Sequence, residues 1–209
     1  MIVINFKNYK DGKEVVRLAK LIEKYIPKSI VCVPAVSMSD VSRKTKLSVY
    51  SQHVDSYDGK RGTGKITALE VKKAGASGTL LNHSEHKISI KEIKEAVKEC
   101  RRVGLKTLVF ASNLAEAKKI IKFKSDAVAY EDAKLVGSGK SITEYKPVEI
   151  VKFVKLLKGK KIIPLCGAGI SSARDVLEAY RLGCSGVVIA SAIADTKKPE
   201  KILKKISKI

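Results

Sequence analysis

A carboxylate at Glu131, an imidazole at His83, an ammonium at Lys7 and amides at Asn5, Gln52 and Asn82 each stand where a short apolar run of the chain ends. Together they make up the set that proton abstraction beside a carbonyl requires. The carboxylate removes a carbon-bound proton, the imidazole polarises the carbonyl, and the cation and amide stabilise the enediolate. Two turns of small residues, Gly167-Ala168-Gly169 and Ala190-Ser191, also follow apolar runs and leave backbone N–H groups free to face a phosphate. Directly after Glu131 comes Asp132 to Lys140, too rich in glycine for helix yet carrying Leu135 and Val136 at its middle. A loop holding two aliphatic side chains reads as a lid that shuts water out, or more plainly as a surface turn with incidental apolar residues. Each residue has a plain reading of its own. A His at a strand end is often structural, Glu131 could be an ion-pair partner, and Lys7 is one lysine among many. Convergence on a single face is what the chemistry depends on.

The elements that would produce that convergence alternate along the chain. Strands are expected at Ile2 to Phe6, Ile30 to Pro34, Leu47 to Gln52, Gly78 to Leu81, Thr107 to Phe110, Asp126 to Glu131, Ile162 to Leu165 and Gly186 to Ile189. Between them Val15, Leu18, Ala19, Ile22 and Ile26 recur at helical spacing until Pro27, and a short helix is expected from Val36 to Lys44. A polar loop runs from His53 through Asp58-Gly59 to Thr63-Gly64. Thr67-Ala68-Leu69-Glu70 reads as a capping-box start, Ser89-Ile90-Lys91-Glu92 starts another helix, and Gly75 and Gly104 end those helices. Ser112 or Asn113 caps the next, Pro147 suits a first turn, and Gly159 and Gly183 close later helices. A basic helix with Ile202, Leu203 and Ile206 inward follows the last strand.

Strands with no polar alternation are buried on both faces, which implies a parallel sheet. Eight such units closing on themselves make a parallel (β/α)8 barrel of one domain over residues 1–209, whose strand C-termini all open on the same face. An open doubly wound sheet is the alternative, but no Gly-x-Gly-x-x-Gly follows the first strand. Pro164 inside an expected central strand removes a ladder donor, and nothing in the sequence explains it.

The bulk composition excludes several classes. No apolar run approaches the roughly 18 residues of a membrane span, and the strand-like start at Ile2 leads us to expect no targeting segment. Cys32, Cys100, Cys166 and Cys184 are far apart in apolar settings, as expected of free thiols in a reducing cytoplasm. Three histidines and no Cys-x-x-Cys pair offer little to a metal, so neither metal nor cofactor is expected. Forty-two Lys and Arg against twenty-one acids give +21, a field that draws anions. The lysines are spread along every helix, as in Lys152, Lys155 and Lys158, so nucleic-acid binding is expected to be non-specific if it occurs. Gly137-Ser138-Gly139-Lys140-Ser141 imitates a nucleotide-binding P-loop, but Lys134 stands where the full pattern needs its first glycine.

The chain resembles the triosephosphate isomerases in their short archaeal form. Asn5-Phe6-Lys7 is similar to the family's Asn-aromatic-Lys, and Ser51-Gln52-His53-Val54-Asp55 with Thr63-Gly64 to its third-strand end and subunit-contact loop. Asn82-His83-Ser84-Glu85 resembles the segment bearing the electrophilic histidine, and Ala129-Tyr130-Glu131 with Gly137-Ser138-Gly139 the base and its lid. Cys166 to Ser171 and Ala190-Ser191 resemble the phosphate-binding turns. The match runs in order over nearly the whole chain.

The resemblance implies a TIM barrel that interconverts dihydroxyacetone phosphate and glyceraldehyde 3-phosphate in glycolysis and gluconeogenesis, without cofactor or metal, as a homo-oligomer of two or four chains. It makes Glu131 the base and His83 a neutral electrophile whose pKa is held down by a helix starting behind it. Lys7 and Asn5 would stabilise negative charge. Phe6, Val136, Gly137, Gly169, Ala190 and Ser191 would bind substrate or its phosphate, and Glu85 would act from behind them. Four positions depart from the family's pattern. Asp132 replaces the proline usual after the base, His86 and Lys87 replace a pair of arginines, and Lys134 is unusual in the lid. The competing readings are another phosphate-binding barrel, acting on a phosphoribosyl or indole glycerol phosphate, and a basic barrel that binds phosphate or other anions with its activity lost or secondary.

Overall fold

Eight apolar runs pair in parallel, each with the next in sequence: β1 (Ile2–Asn5), β2 (Ile30–Val33), β3 (Ser48–Ser51), β4 (Gly78–Leu81), β5 (Lys106–Ala111), β6 (Ala127–Tyr130), β7 (Ile163–Cys166) and β8 (Gly186–Ile189). β8 then pairs with β1, with Val3 opposite Val188, and the sheet closes as the expected eight-stranded barrel. The computed structural model from which this is seen describes residues 1–57, 59 and 61–209; Asp58, part of the expected polar loop, lies outside the described residues.

Alternate residues of each strand point to opposite faces. Val3, Cys32, Leu80, Leu108, Phe110 and Leu165 therefore pack the barrel's interior. Ile4, Val31, Val49, Leu81, Val109 and Val128 face outward into a second apolar layer. Gly78 is needed for space, because a Cβ there would run into the Tyr50 ring and the Lys106 carbonyl. Pro164 falls near the start of β7, and the pairing with β8 begins only at Leu165 opposite Gly186. The ladder donor it lacks is therefore not missed, and its carbonyl still accepts the Ser185 N–H at 2.8 Å.

Helices cover the outer layer: α1 (Gly12–Tyr25), α2 (Met38–Lys44), α3 (Ala68–Lys73), α4 (Ile90–Arg102), α5 (Leu114–Ile120), α6 (Ile142–Tyr145), α7 (Pro147–Leu157), α8 (Ala173–Arg181), α9 (Ser191–Ala194) and α10 (Pro199–Ile206). Ser89 and Glu92 form a reciprocal capping box. Thr67 makes only half of one, accepting the Glu70 N–H, and Asn113 rather than Ser112 caps α5. All four cysteines are buried free thiols. Among the described residues no helix is long and apolar enough to cross a membrane.

Candidate active site

β1 delivers Asn5 to the C-terminal mouth of the barrel, where its side chain is buried. Its Oδ1 accepts the Lys7 N–H at 3.0 Å and Gln52 Nε2 at 3.3 Å, and Gln52 Nε2 also donates to the Lys7 carbonyl at 2.9 Å. These bonds hold Lys7 in a left-handed turn (φ 44°), an uncommon conformation for a residue with a Cβ. The turn aims its ammonium at Glu85, 2.6 Å from Oε1.

β4 ends in a similar device. Asn82, also left-handed (φ 59°), is buried with its amide fully used. It accepts the Ile88 N–H at 3.1 Å and donates to the Phe110 carbonyl and Glu116 Oε1, both at 2.9 Å. This turn faces His83 into the mouth. The helix expected behind His83 is absent. Residues 84–86 make a single turn closed by the His86 N–H on the His83 carbonyl, and α4 begins only at Ile90. What reaches the ring instead is the Glu85 backbone N–H, which donates to Nδ1 at 3.2 Å. Nδ1 is thus an acceptor, and the neutral ring carries its proton on Nε2, the nitrogen facing the cavity. Burial pushes the His83 pKa down, and the Lys7 and Lys87 ammoniums add to this, opposing the pull of the Glu131 and Glu85 carboxylates.

β6 places Glu131 just past its end, nearly enclosed. Its Oε1 lies 3.4 Å from His83 Nε2 and accepts the Ser84 hydroxyl at 2.9 Å. A Cβ at Gly167 would come within 3.1 Å of the other oxygen, so the seventh-strand turn backs the carboxylate closely. The segment after it folds as Asp132 requires. That carboxylate accepts the Lys134 N–H at 3.0 Å, capping a one-turn helix at Ala133–Leu135, and lies 3.8 Å from Lys146. Leu135 is buried against the core, and Val136 and Gly137 face the cavity.

The cavity between these groups measures about 360 Å³. It is lined by Asn5, Lys7, His83, Glu131, Val136, Gly137, Gly169, Ala190 and Ser191, so the structure brings together nine of the residues named from sequence. Phe6 is a correction. Its ring is wholly buried in the outer layer, as the in–out alternation past Asn5 dictates, and does not line the cavity. Glu85 lies behind the catalytic face, with Oε2 3.7 Å from His83 Nδ1. Sequence reasoning gave no role to Ser84, Tyr9 or Asp195, the last two of which line the cavity. Ser84 could have been found from its place beside His83 in the turn. Asp195 and Tyr9 carried no signal, because each follows a turn whose direction only the closed barrel sets.

Among the residues lining the cavity, Gly137 and Gly169 are left-handed (φ 71° and 68°), and Ser191 opens α9, whose first N–H groups have no partner within the helix. Free N–H groups of this kind suit an anion.

The family model for triosephosphate isomerase matches residues 1–206 of the chain. The triosephosphate isomerase of Sulfurisphaera tokodaii is 37% identical over 210 residues, 97% of this chain and 92% of that protein. That of Methanocaldococcus jannaschii is 32% identical over 216 residues, 100% of this chain and 99% of that one. In three dimensions the chain is similar to the crystal structure of triosephosphate isomerase from Bartonella henselae, with a TM-score of 0.76 over 90% of this chain and 91% of that one; at 19% identity this likeness speaks for the fold.

Proposed function

The chain belongs to the triosephosphate isomerase family, and from that premise we propose how its own residues carry out the reaction. It is an isomerase, interconverting dihydroxyacetone phosphate and D-glyceraldehyde 3-phosphate, a step of glycolysis. Glu131 takes a proton from the carbon beside the carbonyl of dihydroxyacetone phosphate, and the electron pair moves onto the carbonyl oxygen to give an enediolate. His83 Nε2–H donates to that oxygen, and the Lys7 ammonium with the Asn5 amide balances the charge. A proton then passes, by way of the His83 imidazole, from the hydroxyl on the deprotonated carbon to the former carbonyl oxygen, and Glu131 returns its proton to the neighbouring carbon, which leaves the aldehyde. A neutral imidazole as electrophile is this family's long-established arrangement. In this chain burial and the Glu85 N–H on Nδ1 support it.

One observation carries the assignment: His83 Nε2 and Glu131 Oε1 face each other at 3.4 Å on the wall of an anion-ready cavity. At that separation no substrate carbon fits between them. Binding must therefore swing the carboxylate off Ser84, which gives up one hydroxyl bond. The phosphate would lie on the Val136-Gly137, Gly169 and Ala190-Ser191 backbone, with Glu85 holding Lys7 from behind. Bare anion binding, the competing reading, would need neither the imidazole nor the carboxylate, and the comparisons favour the enzyme.

We also place the enzyme in the cytoplasm, supported by four buried free thiols, and take it to be a homo-oligomer. Val36, 95% exposed, and Leu69, 44% exposed, are apolar surface that self-association would cover.

A coupled assay on glyceraldehyde 3-phosphate tests the assignment. Glu131→Asp and His83→Asn should each lose about two orders of magnitude or more in kcat, the scale of a positioned acid or base. Near-wild-type turnover in either variant would remove that residue from the mechanism.

A further inference from the structure

Lysines that look evenly spread in the sequence are gathered by the topology. All eight strands are parallel, so every helix that returns the chain to the next strand ends on the face opposite the active site. The last turns of α1, α2, α3, α4, α5, α7, α8 and α10 carry thirteen Lys and Arg between them, Lys24, Arg101, Lys119 and Lys155 among them. The connections from those helices to the next strands add seven lysines, including Lys122, Lys158 and Lys160. Against these twenty bases stand Glu23, Glu70, Glu99, Glu178 and Asp126. The remaining +15 is most of the +21 of the whole chain.

Some of this charge answers the helices themselves. Each helix C-terminus carries about half a negative charge, so eight of them offset only about four of those bases. The rest has no internal partner on the scale required. Arg101 donates to the Phe123 and Lys124 carbonyls and Lys106 pairs with Asp126, but Lys119, Lys122, Lys158 and Lys160 extend into solvent. α5 and α7 pack side by side, which joins these four into one patch. Its chemistry is that of a phosphate-backbone surface: exposed ammoniums at the end of one helix and on the connections that follow it and its neighbour. A bilayer partner is less favoured, because the large apolar residues exposed at the chain's two ends there are only Met1 and Ile209, each less than half exposed.

We propose that the face of the barrel opposite the active site binds the phosphate backbone of duplex nucleic acid, without sequence preference, leaving the isomerase site open. The docking is electrostatic, so its equilibrium constant must fall steeply with salt, with a log–log slope of about −0.9 per phosphate engaged.

The test is fluorescence anisotropy with a random-sequence DNA duplex at several salt concentrations, on two charge-matched variants of the full chain. The first reverses Lys119, Lys122, Lys158 and Lys160 to Glu; the second reverses Lys13, Lys91, Lys198 and Lys201, exposed near helix starts on the active-site side. Circular dichroism and isomerase turnover check that both are folded. The proposal expects the first variant to weaken binding at least tenfold and to flatten the salt slope. The second should change affinity less than threefold, and saturating duplex should leave wild-type turnover unchanged. Equal losses in the two variants would overturn it, showing net charge alone at work. So would the absence of wild-type binding at low salt, inhibition of turnover by duplex, or tighter binding at matched salt to vesicles containing phosphatidylserine.

Discussion

Gly169 packs the seventh-strand turn against the Lys140-Ser141 stem of the segment that follows Glu131, and replacing it by alanine should disturb both. The residue is left-handed at φ 68°, a conformation that costs an L-residue about 1–2 kcal/mol. The added Cβ would also overlap the Lys140 carbonyl oxygen and come 3.0 Å from Ser141 Cα. Both neighbours are backbone and cannot rotate away, so the stem must retreat by about 1 Å to restore van der Waals contact. That retreat pulls on the Ile142 N–H to Ala168 carbonyl bond, 3.1 Å long and worth about 1 kcal/mol. Together these predict a loss of about 3 kcal/mol, or a melting temperature lower by about 6–12 °C in a chain of this size.

Activity should suffer more than stability. A displacement of about 1 Å at a positioned group costs on the order of 10²-fold in rate, and here it moves the lid relative to Glu131. Gly137→Ala is the matched control. Its φ of 71° carries the same backbone penalty, but a Cβ there meets nothing within 4 Å. Thermal melting and the coupled isomerase assay on both variants separate strain from clash. The control should lose about 1–2 kcal/mol and keep most of its turnover. If the two variants lose stability and activity equally, the packing of the lid stem on the seventh-strand turn has no functional weight.

Two further outcomes follow from residues around the same cavity. Asp132→Pro should be nearly neutral. Asp132 has φ −76°, inside proline's range, and its N–H makes no backbone hydrogen bond among the described residues. The lost cap on Lys134 costs about 0.5–2 kcal/mol and the stiffer unfolded chain returns about 0.4–1, so a fall of more than about 2 kcal/mol by denaturant titration would contradict this account of the hinge. His83 predicts a pH dependence of stability. Its folded pKa lies below 6.5, so in that window the unfolded chain binds the proton first, and stability falls as pH drops from 6.5 through the folded value. His83→Gln removes this contribution and leaves that of His53, also lowered by burial. Denaturant titrations at pH 7 and pH 5 should show the smaller acid loss in the variant, and equal losses would contradict burial of a neutral His83.

Most of the barrel was legible because its signals are local. Apolar runs of strand length, glycines after helices and the helix start at Ser89 to Glu92 each act within a few residues, and each of the eight expected strands formed to within a residue or two. Legibility failed wherever a side chain's fate depended on direction in space. The resemblance to the family made Phe6 a binding residue, yet in–out alternation sends it into the outer core. The resemblance also placed a helix start behind His83, but Asn82 spends its amide on Ile88 and Glu116, so the chain bends before α4 can begin.

The same cause explains why the placement of the charge was not legible. A sequence lists lysines by position, and on each helix they looked like an ordinary solvated face. A closed parallel barrel orients every returning helix alike, so a modest basic bias in each last turn adds up eight times on one face. The strand ends add up in the same way on the other face, where single residues of weak meaning, Asn5, His83, Glu131 and Gly169, come to line one cavity. Closure thus turns two weak periodic signals into two strong surfaces at opposite ends. A change that opened the ring between β8 and β1 should therefore disperse both at once, even with every side chain still in place.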